Sequence, residues 1–152
     1  MNSPHEDAPL ALHVSAGTPR SADPRVGLTV THRRYVPYAH AHYGGDLVDG
    51  AYTLGLFGDV ATEVAIRTDG DEGLLAGYSE VRFLGPVRAG DVLEATAEVV
   101  RIGRRSRELR CTARVTARAE PERGASAGRV LETPEVVVEA MATLVVPAPG
   151  PA

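Results

Sequence analysis

The residues from His40 to Asp59 read His-Ala-His-Tyr-Gly-Gly-Asp-Leu-Val-Asp-Gly-Ala-Tyr-Thr-Leu-Gly-Leu-Phe-Gly-Asp. A histidine pair, two glycines and a carboxylate thus lead into a helix start. An imidazole titrates near neutrality, so His42 is a candidate proton carrier; the competing role is a loop histidine satisfied by backbone. His40 lies two residues away, on the same side if the segment is extended, and is a second candidate, with loop packing as its alternative. Asp46 is placed either as the helix N-cap, with Asp49 in the first turn, or as a catalytic carboxylate. Gly44 and Gly45 allow close backbone approach, which suits either oxyanion-binding N–H groups or a plain tight turn. Helix starts carry unpaired N–H groups and partial positive charge, favourable to a developing oxyanion. Tyr38 and Tyr43 offer hydroxyls to a carbonyl or carboxylate, or they pack. Two histidines and Asp46 would be a sparse metal site, and no further protein ligand is evident, so no metal is expected.

The helix that must position these groups is read from Leu47 to Arg67. At 100° per residue one half of its wheel holds Leu47, Gly50, Ala51, Leu54, Gly55, Phe57, Gly58, Ala61, Val64 and Ala65, with Thr62 its only polar member, and that face is expected to be buried. The opposite arc also carries Val48, Tyr52, Leu56, Val60 and Ile66, so the helix is central. Glycines inside a helix cost about 1 kcal/mol each relative to alanine. Close approach of a curved sheet is the expected reason for them.

Strict alternation marks two strands downstream. From Val92 to Ile102, Leu93, Ala95, Ala97 and Val99 alternate with polar residues; from Glu108 to Arg118, Leu109, Cys111, Ala113, Val115 and Ala117 do the same. A tight connection centred near Arg104 would set Glu98 opposite Arg110, Thr96 opposite Thr112 and Glu94 opposite Arg114. Cys111 falls on the apolar phase and reads as core filling rather than as a nucleophile. Arg25–Tyr35, Leu74–Phe83 and the β-branched stretch Glu135–Val146 read as further strands, and 120–133 as a long loop. One strand, a long helix and four antiparallel strands make an α+β chain with the element order of a hotdog fold, a five-stranded antiparallel sheet wrapped around a central helix. Arg101, Arg104, Arg105 and Arg107 gather at the hairpin tip, either solvated or placed to meet phosphates or an acidic protein surface.

Composition sets the outer bounds. With 43% hydrophobic and 24% charged residues and a net charge of −4, the chain is an ordinary globular one with no basic patch for nucleic acid. It has no apolar run near the roughly 18 residues of a membrane helix and no signal-like start, so a cytoplasmic location is expected. The single cysteine suits a reducing compartment. Residues 1–24, punctuated by Pro4, Pro9, Pro19 and Pro24, read as a flexible arm, 25–147 as one domain, and 148–152 as a tail.

Several consecutive motifs resemble one family. The runs His42–Ala51, Leu56–Glu63, Asp69–Leu74, Phe83–Val87 and Ala89–Asp91 are similar in order and spacing to 3-aminobutyryl-CoA ammonia lyases. They are also similar to the related dual-function thioesterases that add glycine to unsaturated acyl thioesters in natural-product biosynthesis. The resemblance spans roughly His32 to Val115. It implies a homodimer, or a dimer of dimers, with active sites at the subunit interface. It further implies no cofactor, an acyl-CoA or acyl-carrier-protein substrate, and an amine partner, glycine or ammonia. The family usually carries Asn where this chain has Asp46, a departure that bears on the glycine step. The implied reaction is addition of an amine, glycine above all, to the β-carbon, then thioester hydrolysis. His42 would be the proton carrier, with backbone N–H groups of Gly44 to Asp46 on the enolate and Arg33, Arg34 or a tyrosine near the glycine carboxylate. Ammonia elimination from a 3-aminoacyl-CoA and plain thioester hydrolysis are the alternatives.

Overall fold

The computed structural model describes residues 23–148. The expected N-terminal arm lies outside them except for Asp23 and Pro24, and of the expected tail only Ala148 is included. Strand β1 (Thr29–Tyr35) leads through two short 3-10 turns, Tyr38–His40 and Gly44–Asp46, into helix α1 (Gly50–Asp69). Then come β2 (Leu74–Phe83), β3 (Val92–Ile102), β4 (Ser106–Ala119) and β5 (Gly128–Val145). The strands form one antiparallel sheet in the order β1-β3-β4-β5-β2, folded against α1. This is the hotdog architecture expected from the element order.

The β3–β4 hairpin has the register that its charges predict: Glu98 faces Arg110, Thr96 faces Thr112 and Glu94 faces Arg114. Only the first of these pairs closes as an ion pair, at 3.2 Å. Glu94 instead meets Arg33 of β1 at 2.9 Å, and Thr96 shares a 3.0 Å hydrogen bond with Thr31. A strand in mid-sheet has two neighbours, and the sequence of one hairpin speaks only for one of them. The inward face is rich in alanine: Ala95, Ala97, Ala113, Ala140 and Ala142 are all buried, alongside Cys111. Small side chains there let a helix lie close to the sheet.

Helix α1 fills that space with an arc that shares Phe57, Ala61, Val64 and Ala65 with the expected one but is rolled away from its other members. Its buried residues are Thr53, Leu56, Phe57, Val60, Ala61, Val64 and Ala65, whereas Ala51 and Gly55 are exposed. Both arcs carry apolar residues, so periodicity could not choose between them. The sheet takes the one whose Leu56 and Val60 have the volume to fill the gap above alanine. The expected role of the glycines is corrected with it. A Cβ at Gly55 would meet nothing within 4 Å, and at Gly58 only the Tyr78 hydroxyl at 3.9 Å; Gly50 alone is crowded, by the Phe83 ring at 2.5 Å.

Two boundaries and the burial of one arginine also differ. Residues 25–28 form a turn, so β1 starts at Thr29 rather than Arg25. The long loop expected over 120–133 shrinks to Glu120–Ala127, because β4 and β5 extend toward each other and pair as far as Ala119 with Gly128. The Glu120 carboxylate bridges Arg123 and Arg129 across this shortened turn. Arg107, expected at the solvated hairpin tip, is 3% exposed and is held by Asp69 and by the carbonyls of Gly103 and Ser106. Among the described residues no helix is long and apolar enough to cross a membrane.

Candidate active site

The path from β1 to α1 is folded back on itself. His42 and Tyr43 both donate their backbone N–H to the Leu47 carbonyl, at 2.8 and 2.9 Å, and close a small loop over the Gly44–Asp46 turn. Gly45 has φ 68° and Asp46 φ 60°. The first is free for glycine and the second is a conformation that aspartate tolerates better than most residues. The Asp46 carbonyl accepts from Ala89 and the Val87 carbonyl from Val48, both at 2.9 Å, which pins the loop to the β2–β3 connection. The tight-turn role weighed for Gly45 is thereby met.

Because of this loop the helix starts later than the sequence suggests. Asp49, not Asp46, is the N-cap: its Oδ1 accepts from the Tyr52 backbone N–H at 3.0 Å. The other oxygen, Oδ2, lies 3.8 Å from His42 Nδ1. That is ion-pair range and too long for a hydrogen bond, so Asp49, itself held by the cap, faces the imidazole without bonding it. One carboxylate therefore both caps α1 and faces the histidine.

His42 and Asp49 open onto a cleft of about 600 Å³ that also takes in His40, Arg34, Tyr52 and Asp59, with exposed Ala51 and Gly55 on its floor. The His40 ring lies 4.8 Å from the Tyr52 ring, and the His42 ring meets the Tyr43 ring edge-on at 4.5 Å. Arg34 Nη2 stands 3.7 Å from Asp59 Oδ2, a loose pair at the cleft wall. Of the residues singled out in the sequence, His40, His42 and Arg34 thus come together. Asp46, Tyr38 and Gly45 line a separate groove with Arg88 and Arg118. Tyr43 lines an apolar pocket of about 240 Å³ with Val48, Gly50, Phe83, Val87 and Val138; Gly44 lies in the exposed turn between. Asp49 borders both the polar cleft and the apolar pocket.

Asp59 and Tyr52 also line the cleft, and Asp49, expected only as a first-turn residue, faces His42. Asp49 carried a usable signal, since an aspartate three residues before the next N–H to be capped satisfies the N-cap rule as well as Asp46 does. Asp59 carried none, because its place depends on how α1 is rolled against the sheet. Of the hairpin arginines, Arg104, Arg105 and Arg107 sit beside Asp69 and Asp71 at the far end of α1, and Arg101 pairs with Glu108. A helix of 20 residues puts that end about 30 Å from the start of the helix. They do not reach this cleft within one chain. Among the described residues no group of three His, Cys, Asp or Glu side chains comes together as a metal site.

Residues 47–123 match the thioesterase superfamily. The chain is 50% identical over 107 residues to the 3-aminobutyryl-CoA ammonia lyase of Acetoanaerobium sticklandii, covering 70% of this chain and 85% of that one. The β-alanyl-CoA:ammonia lyase of Clostridium propionicum superposes with a TM-score of 0.75 at 30% identity, over 80% of this chain and 86% of that one. An acyl-CoA hydrolase of Staphylococcus aureus, solved with butyryl-coenzyme A, shares the fold at 19% identity and a TM-score of 0.60, over 77% of this chain and 62% of that one. The chain belongs to the thioesterase superfamily, as a hotdog-fold enzyme of thioesterase or lyase type in the 3-aminobutyryl-CoA ammonia-lyase group.

Proposed function

We propose that the protein makes β-amino acyl thioesters and hydrolyses them, adding glycine to the β-carbon of an α,β-unsaturated acyl group carried on coenzyme A or an acyl carrier protein. The observation that carries this reading is the His42–Asp49 pair at the start of α1, facing a cleft that also holds Arg34 and Asp59. The amine nitrogen attacks the β-carbon, and the C=C electron pair moves onto the thioester carbonyl as an enolate. His42 takes the proton that the new ammonium sheds, with Asp49 balancing the imidazolium, and returns it to the α-carbon. The first free N–H groups of α1 are the candidate donors to the enolate oxygen, the Tyr52 N–H being spent on Asp49 and the Gly44–Asp46 turn lying outside the cleft. Water then attacks the same carbonyl, the C–S bond breaks, and the thiol leaves with a proton. In this reading Arg34 meets the glycine carboxylate, His40 flanks the cleft and the apolar pocket beside Asp49 takes a short acyl chain. Asp46 holds the turn that aims His42.

Likeness to two CoA ammonia lyases favours a second reading, elimination of ammonia from a 3-aminoacyl-CoA with the thioester left intact. Both use the same pair of residues in opposite directions. A homodimer is part of the proposal. Its support is the edge strand β2, where Leu74, Leu75 and Phe83 are exposed beside unpaired backbone.

The test is mass spectrometry of the protein incubated with a short 2-enoyl-CoA, with and without glycine or ammonium, alongside His42→Ala. A glycine adduct recovered as free acid, and absent from the variant, is the expected result. An ammonia adduct that stays a thioester points to the lyase. Unmodified enoic acid alone would leave only a thioesterase.

A further inference from the structure

Among the described residues a single buried side-chain polar atom has no partner, the hydroxyl of Tyr52. A desolvated donor without an acceptor is disfavoured in a folded chain, and phenylalanine would occupy the same space without that cost. Its position suggests why tyrosine stands there. Tyr52 is in the first turn of α1, its backbone N–H fixed by Asp49 and its ring set against His40, so the phenol is anchored beside the His42–Asp49 pair. It lines the same cleft. Arg34, whose charge acts on the phenol, lines that cleft too, is more than half exposed and pairs loosely with Asp59 at 3.7 Å. Burial raises the phenol above its ordinary pKa, which keeps it protonated, as a donor, throughout the neutral range.

We propose that the Tyr52 hydroxyl is a substrate-positioning donor that hydrogen-bonds the thioester carbonyl oxygen once substrate enters the cleft. The inference rests on the reading of that cleft as the thioester site, and supplies a donor that the backbone account lacks. An orphan group in the free protein becomes a satisfied one in the complex, and the bond strengthens as negative charge grows on the oxygen.

Tyr52→Phe tests it through two readouts that a structural hydroxyl would move together. The thermal midpoint should stay or rise, since no hydrogen bond within the protein is lost. The kcat with a 2-enoyl-CoA should fall about 100-fold, as for loss of one oxyanion donor, and equally with glycine and with ammonium as the amine. A midpoint lowered by several degrees, an unchanged kcat, or a fall confined to glycine would each overturn the assignment while leaving the reaction intact. Absence of turnover in the unaltered protein with every thioester and amine would instead overturn the proposed function, and this inference with it.

Discussion

Asp49 does two jobs with two oxygens, and substitutions can separate them. Asparagine is as good an N-cap as aspartate, so Asp49→Asn should keep the 3.0 Å bond to the Tyr52 N–H and remove only the charge that faces His42. Asp49→Ala removes both. Loss of the cap costs about 1 kcal/mol, equivalent to a fall in Tm of about 3 °C for a chain of this size. The charge itself matters little to stability, because an exposed ion pair contributes between about 0 and 1 kcal/mol. It matters more to turnover. Two unit charges 3.8 Å apart attract by about 1 kcal/mol in water and about 4 kcal/mol at an effective dielectric of 20, the environment that a bound substrate brings by expelling water. Those limits correspond to roughly 5-fold and 10³-fold in rate, and the half-open cleft places the expected loss between them, at about 10–100-fold in kcat. Thermal melts and turnover of a 2-enoyl-CoA should therefore show Asn and Ala equally slow but only Ala less stable. Equal destabilisation by both, or full activity in Asp49→Asn, would refute the division of labour.

Two predictions concern the frame around the site. Asp69→Asn should lower stability at neutral pH by about 3 kcal/mol in urea denaturation, because it leaves the buried Arg107 guanidinium without its counter-charge. The Arg107 hydrogen bonds hold the Asp69 carboxyl below its ordinary 3.8, so this contribution is complete above that pH and is lost as pH falls through the lower folded-state value; the variant should show a flatter acid limb. Burial pushes the Cys111 thiol up to about 12. The native protein should thus resist a thiol reagent that labels it promptly in denaturant, and Cys111→Ala should keep its turnover within about twofold.

What the chain alone determined is local. The alternation in Val92–Ile102 and Glu108–Arg118 names one face of each strand as core, and a two-stranded register follows from a short connection and matched charges. The same holds for the loop that brings His40 and His42 to a helix start, since the cap, the glycines and the histidines lie within a dozen residues of one another. Tertiary structure decided the rest. The roll of α1 depended on the alanine-rich sheet, which took Leu56 and Val60 and left Ala51 and Gly55 to floor the cleft. Arg107 looked like a surface charge until the end of α1 brought Asp69 to it across 38 positions of sequence. Which aspartate faces His42 was settled by the bridge from Leu47 to Arg88 and the bonds from Val48 and Ala89, which hold the chain extended past Asp46 so that the helix begins at Gly50. Periodicity and capping rules rank neighbours along the chain; only packing between distant segments can choose among neighbours that rank alike.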